Sequence, residues 1–257
     1  MSKIYLPSPR GAFRVWQRDL TVFRKFWKAA LMPNFIEPFF YLAALGLGLG
    51  AFVRDINGQD YIQYIAPGLL ASNAMFAASF ESTFNTFVKL KFDKVYDAII
   101  ATPVNAEDIV VGEYLWAGTR AALYGTAFTA VIAALGLVHS PWALLLPPFL
   151  FLVGLMFSVM GTLFTSLIKS IDFYAYYFTL AVTPMFLFSG IFFPIEGFPA
   201  PVPQLAWMTP LYHAVNVCRE LAGGPSPGVL VDVAWIAVFT GVLFLIPVQI
   251  MRRRLIS

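Results

Sequence analysis

Three charged side chains, Glu37, Glu81 and Arg120, interrupt long apolar runs of this chain. An ionisable group inside such a run is costly to bury, so it marks an ion pair or a functional contact. If each run is a helix rising ~1.5 Å per residue, the three lie ~12, ~10 and ~16 Å from the more basic ends of their helices. That similar depth pairs Arg120 with Glu81, Glu37 or both. Such a pair would either lock helices together or meet a passing ligand. His213 and Glu220 form a second candidate pair within about two helical turns, although a lone histidine on an apolar helix is more often structural. Other chemistry is missing from the sequence. The run Gly46-Leu47-Gly48-Leu49-Gly50 resembles a nucleotide-binding loop, but it has no lysine and no strand before it. Gly46 and Gly50 fit a close helix contact instead. No Gly-Lys pair occurs, so a Walker phosphate loop is excluded and ATP is not split here by that route. No Ser-His-Asp, Cys-His or paired-carboxylate set stands out, so an enzyme is not expected. His139 and His213 make no metal cluster. The single cysteine, Cys218, excludes an intrachain disulfide.

Composition says what must hold these residues. Of 257 residues, 59% are hydrophobic and 12% charged, whereas a soluble domain carries about 25% charged residues. So few charges cannot clothe a water-exposed surface, so lipid must be the solvent for much of the chain. The 17% aromatic content, including 26 Phe, suits lipid-facing and interfacial positions. A net charge of +3 could also belong to a nucleic-acid binder. The basic residues here flank apolar runs, so they read as topology determinants and no nucleic-acid partner is expected.

A spanning helix needs about 20 mainly apolar residues. Six segments qualify: 29–53, 61–88, 109–138, 141–168, 173–193 and 229–251. The first is too long for a signal-peptide core and has no small-residue cleavage site after it, so it is expected to stay. Lysine and arginine sort the breaks between spans. Seven lie before the first span (Lys3, Arg10, Arg14, Arg18, Arg24, Lys25, Lys28) and three at Lys89, Lys91 and Lys94. Lys169 and the closing Arg252, Arg253 and Arg254 bring that side to fourteen, against Arg54 and Arg219 on the other. This bias predicts both termini in the cytoplasm of a bacterial inner membrane. The expected fold is an all-α integral membrane protein forming a single transmembrane domain over 1–257. It has six transmembrane helices, an N-terminal amphipathic interface helix and a re-entrant outer segment between helices five and six.

The interface helix occupies 8–28. Ser8 can cap it and Pro9 suits its first position. Phe13, Trp16, Leu20, Phe23 and Trp27 share one face, with Arg14, Arg18, Thr21, Lys25 and Lys28 opposite. The inner loop 89–108 carries a short helix whose Phe92, Val95, Tyr96, Ile99 and Ile100 share a face. That face either docks into another protein or packs on its own bundle. Thr102-Pro103 ends the helix. Asn105 then caps the third span, with Glu107 and Asp108 in its first turn. The outer segment 194–228 is rich in proline, among them Pro194, Pro210 and Pro225. Thr209-Pro210 begins and Gly223-Gly224 ends a helix of about 13 residues, too short to cross a bilayer. It is too apolar for a free loop, so it is expected to dip back among protein.

These elements, in this order, resemble the permease subunits of type-2 ABC exporters, and more narrowly the nodulation-type lipo-oligosaccharide exporter permeases. The stretches that carry the resemblance are Glu37-Pro38 leading into Leu45–Gly50, Ala66-Pro67-Gly68-Leu69, Ala74-Met75-Phe76-Ala77, Ala101-Thr102-Pro103-Val104 and Gly112-Glu113. They continue with Thr183-Pro184-Met185-Phe186-Leu187-Phe188-Ser189-Gly190, Phe193-Pro194, Pro210-Leu211-Tyr212-His213-Ala214-Val215 and Arg253-Arg254-Leu255-Ile256. The resemblance implies a half-transporter. Two copies would form the pathway, and two separate ABC ATPase subunits, which carry the ATP and Mg, would bind beneath. No cofactor is expected on this chain. By the same similarity, residues 91–102 form the main coupling helix (Lys91, Phe92, Val95, Tyr96, Ile99, Thr102), and the turn from Lys169 to Asp172 makes a second contact. Spans one, two and five would line the pathway. Phe193, Pro194, Pro210 and His213 would shape the outer gate. The cargo would be a lipid-linked saccharide or similar amphiphile. A drug exporter of the same superfamily is the rival. A secondary transporter would need broken helices and internal repeats, and none is visible between the two halves.

Overall fold

Apolar runs broken by proline, glycine and short charged turns fold almost wholly into helices. The computed structural model describes residues 6–53, 55–56, 58–224 and 226–256. Lys3, Arg54 and Pro225, used above, lie outside the described residues, as do the side chains of Pro38 and Leu47. Helix α1 (Pro9–Tyr41) kinks at Phe26, where φ is −123° and ψ is 15°. It runs on through a wide π-turn at Leu42–Gly48. A small antiparallel hairpin follows, β1 (Asp55–Ile56) with β2 (Gln59–Asp60), turned at Gly58 with φ +79°. Then come α2 (Tyr61–Phe80), a second π-turn at Glu81–Asn85, α3 (Thr86–Lys91), α4 (Val95–Ile100) and α5 (Ala106–Ala134). Helix α6 (Leu146–Leu167) is preceded by a tight turn that Ser140 caps. The chain continues with α7 (Tyr174–Tyr177), α8 (Thr183–Phe188), α9 (Val202–Trp207), α10 (Pro210–Gly223) and α11 (Gly228–Ile256).

Three of the described helical stretches are long and apolar enough to cross a membrane: Pro141–Leu167, Ile171–Phe188 and Gly228–Ile256. Segment 29–53 is helical as far as Ala51, and 61–88 and 109–138 are largely helical but carry more polar side chains, including Asn73, Glu81 and Arg120. Their position explains why. Most of α2 is buried against neighbours, whereas α11 turns Leu230, Val231, Val238, Val242 and Ile246 outward. A helix wrapped by protein can pair polar groups, while one facing lipid cannot.

Helix α5 is the hub, packing on α1, α2 and α6. The α5–α6 approach is close because both sides are small. A Cβ on Gly154 would sit 2.6 Å from the Ala121 Cβ and 2.8 Å from the Gly118 Cα. Gly46 similarly lies against Ile62 of α2, whereas Gly50 is at ordinary contact distance from Tyr61.

Helix α1 packs on α5 through small and apolar side chains and leaves part of its aromatic face uncovered. Its buried stripe is Gly11, Ala12, Val15 and Asp19, while Phe13 and Trp27 are exposed. The cause is Gly112 of α5, whose missing side chain leaves the space that Val15 fills. Beside that stripe, the Trp16 Nε1–H donates to Thr119 Oγ1 (2.9 Å) and Phe23 meets Trp116 edge-on at 5.3 Å. Both helix starts share one acid. Asn105 and Asp108 form a reciprocal capping box on α5, and Asp108 also accepts from the Ser8 N–H at 2.5 Å.

Candidate functional site

The predicted ion pair forms between α5 and the turn after α2. Arg120 pairs with Glu81, which is 2% exposed. Its Nε and Nη2 also donate to Tyr124 Oη at 3.0 and 2.6 Å. Glu37 is not part of this pair. Its carboxylate is exposed and makes no ion pair among the described residues, although Glu37 lines the same cavity as Arg120.

The pair belongs to a larger cluster. Lys89 Nζ lies 2.7 Å from Glu113, 3.2 Å from Glu81 and 3.3 Å from Asp19. Arg18 reaches Asp19 at 2.7 Å, and Asn85 donates to Glu81 at 2.5 Å. Burial pulls the Lys89 ammonium toward neutrality, but Glu113, Glu81 and Asp19 outweigh it and hold its pKa above the ordinary lysine range. The π-turn makes this cluster possible. In a regular helix, residues eight apart sit ~80° apart around the axis. The one extra residue absorbed by the Glu81–Asn85 turn brings Lys89 to within ~20° of Glu81. On α5, Glu113 and Arg120 are seven residues apart and therefore also within ~20° of one face. Sequence reasoning treated Lys89 as a loop charge and passed over Glu113 and Asp19 as ion-pair partners. The spacing of Glu113 and Arg120 was the available signal.

Next to Arg120 lies a cavity of ≈500 Å³. Glu37 and Tyr41 of α1, Ser72 and Asn73 of α2, Asn85, Arg120 and Tyr124 give it a polar side. Leu69, Phe76 and Phe80 of α2 and Phe186 of α8 give it an apolar one. Its walls therefore come from 29–53, 61–88, 109–138 and 173–193.

The inner loop is divided between exposed and buried residues. Lys91, Phe92, Asp93, Lys94, Asp97, Ala98 and Thr102 are exposed. Val95 and Ile99 are half-buried, and Tyr96 is 1% exposed, packed with Val15 and Ile109. Tyr96 therefore anchors α4 to its own bundle and does not present a docking surface. Its ring fills the angle between α1 and α5, which the helical face of the short segment alone does not reveal. A groove of ≈510 Å³ runs between α1 (Arg14, Arg18) and α4 (Val95, Ala98, Ile99). Lys169 and Asp172 are exposed on the turn before α7, where Asp172 accepts from Ser170 Oγ at 2.7 Å.

Pro210 and His213 are buried on α10, and Phe193 and Pro194 lie in the stretch after α8, with Phe193 against Phe198 at 5.3 Å. His213 does not meet Glu220. Its Nδ1 lies 2.5 Å from Asp232 of α11, its Nε2 lies 2.7 Å from the Trp207 carbonyl, and its ring stacks on Trp235 at 4.2 Å. Glu220 instead accepts from the Ser226 N–H and hydroxyl. The two residues share a face of α10 but sit two turns, ~10 Å, apart along it, and His213 at the helix start ties α9, α10 and α11 together. Arg219, also overlooked, lies over the Tyr64 ring at 4.0 Å and donates to the Gly190 carbonyl at 2.9 Å, joining α10 to α2 and the end of α8. No group of metal-ligating side chains occurs among the described residues.

The sequence model of the family described as "ABC-2 type transporter" matches residues 11–221. Nodulation protein J of Rhizobium leguminosarum bv. viciae is 35% identical over 242 residues, 94% of this chain and 93% of that protein. Nodulation protein J of Rhizobium meliloti is 34% identical over 244 residues, 94% and 92% of the two chains. Inner membrane transport permease YadH of Escherichia coli is 26% identical over 118 residues, 46% of this chain and 45% of its own length. A family match over most of the sequence, with near full-length relatives above 30% identity, places this chain in the ABC-2 type transporter family.

Proposed function

We propose that this chain is the permease subunit of an ATP-driven exporter that moves a lipid-linked saccharide or similar amphiphile out of the cytoplasm. It works as a homodimer above two separate ATPase subunits, which hold the ATP and Mg. Its six spans sit in the bacterial inner membrane with both termini in the cytoplasm. The observation that carries this reading is the two-sided cavity between α1, α2, α5 and α8: aromatic and aliphatic on one wall, amide, carboxylate and guanidinium on the other. An amphiphile needs both walls. The family supplies the expectation of an ATPase engine, and the names of the relatives support transport.

The contact with that engine uses the exposed side of α4 and the turn before it. Phe92 protrudes there at 65% exposure, beside Lys91, Asp97 and Ala98 and the groove that Arg14 and Arg18 flank. The turn at Lys169 and Asp172 adds a smaller contact. Stroke transmission follows from the charge cluster, because Lys89 directly precedes this surface and is tied to α1, α2 and α5. Affinity recovery of the intact protein from membranes tests the reading. A separate ATPase subunit should come down with the parent chain and be lost with Phe92→Asp or Ala98→Asp. Recovery of no ATPase, or equal recovery with both variants, refutes the assignment.

A further inference from the structure

The cavity has an uneven charge balance. Its guanidinium is already engaged: Arg120 is neutralised by Glu81 and gives Nε–H and Nη2–H to Tyr124. Two of its other polar groups are acceptors without a donor among the described residues. Glu37 presents a carboxylate with no hydrogen bond or ion pair among the described residues. The buried Asn73 Oδ1 has no hydrogen-bond partner either. Asn85 is occupied by Glu81, and Ser72 donates to its own helix at the Leu69 carbonyl. A carboxylate within an apolar span calls for a cationic or donating partner. Among the described residues that role is open on the cavity side.

We infer that this cavity selects amphiphiles whose polar head carries an amine or ammonium group with further hydrogen-bond donors, and that Glu37 is the specificity-determining residue. The inference rests on the transport reading and deepens it. A phosphate or carboxylate head would meet Glu37 with like charge and would find Arg120 already paired. An ammonium head meets Glu37 through a charge-assisted contact, a hydroxyl or amine donates to Asn73, and the tail lies against Phe76, Phe80 and Phe186.

The test is direct binding to the purified full chain in lipid nanodiscs, without the ATPase. Three probes share one dodecyl chain: dodecylammonium, dodecyl maltoside and dodecyl phosphate. The expected order of affinity is ammonium, then maltoside, then phosphate. Glu37→Gln should weaken the ammonium probe at least roughly tenfold, the equivalent of one charge-assisted contact, while maltoside changes little. Asp60→Asn, an exposed acid outside the cavity, should leave the order intact and so controls for general surface charge. Tightest binding of phosphate, or the same order in Glu37→Gln as in the parent, overturns the inference. So does a Glu37→Gln effect confined to the oligomeric state, which would mean that a second copy answers the carboxylate. Selective binding without ATP-dependent movement in reconstituted complexes would count against the transport reading alone, and movement without head-group preference against this inference alone.

Discussion

Lys89→Met tests whether the charge cluster holds α1, the turn after α2 and α5 together. The substitution keeps the aliphatic stem and deletes the ammonium that Glu113, Glu81 and Asp19 share at 2.7, 3.2 and 3.3 Å. Three nearly buried carboxylates would then face only Arg120 and the partly exposed Arg18. Removing one member of a buried ion cluster costs ~3–5 kcal/mol. Because 16% of the Lys89 side chain remains exposed, the low end, ~3 kcal/mol, is the better expectation. For a chain of this size, 1 kcal/mol moves the melting temperature by about 2–4 °C, so a fall of ~6–12 °C is expected. The molecule contains its own reporter: Cys218 is the sole cysteine and is buried, so a thiol-reactive dye signals unfolding. Lys89→Met with Glu113→Gln removes one charge of each sign and leaves the Glu81–Arg120 and Asp19–Arg18 pairs. It should recover at least half of the loss. A single variant that melts within about 1 °C of the parent, or a double variant no better than the single, would show that the cluster does not couple these helices.

Other outcomes follow from the same geometry. Gly112→Val places a side chain where Val15 of α1 already sits at 2.5 Å from the added Cβ, so overpacking should cost ~1–3 kcal/mol in the same dye assay; an unchanged melting temperature would mean that α1 docks elsewhere. Asp232→Ala strips the Nδ1 partner from a fully buried His213 and should destabilise by ~1–3 kcal/mol, whereas Glu220→Ala, whose carboxylate only holds Ser226 at the surface, should cost less; the reverse order would restore the His213–Glu220 pairing. On a Cys218→Ala background, Phe92→Cys should react with a membrane-impermeant maleimide only in inside-out vesicles and Ser226→Cys only in intact spheroplasts; labelling of Phe92→Cys from outside would remove the ATPase surface from its proposed side.

Much was legible from residue order alone. Apolar runs of spanning length and the bias of fourteen basic residues to one side marked a multi-pass membrane chain, because the cost of leaving polar groups in lipid acts on composition whatever the packing. Capping signals are similarly local, and Ser8, Asn105 and Pro210 all stand at helix starts. Depth alone assigned Arg120 to Glu81, Glu37 or both, and the fold selects Glu81.

What the sequence left open depends on how helices are rotated and where their backbone departs from regularity. A π-turn after α2 turns Lys89 into the cluster, and 3.6-residue counting has no term for it. Gly112 draws the Val15 face of α1 inward and leaves the aromatic face at the flank. The amphipathic face of the inner loop left docking and packing on its own bundle open and the resemblance assigned Tyr96 to docking, yet the angle between α1 and α5 consumes it. His213 finds Asp232 across a loop, not Glu220 on its own helix, because α10 and α11 lie side by side. Composition and periodicity name the solvent of each segment. The partner of each buried charge is chosen only when neighbouring helices settle their rotation, because a charge–charge contact is decided over a few ångströms that no single helix determines.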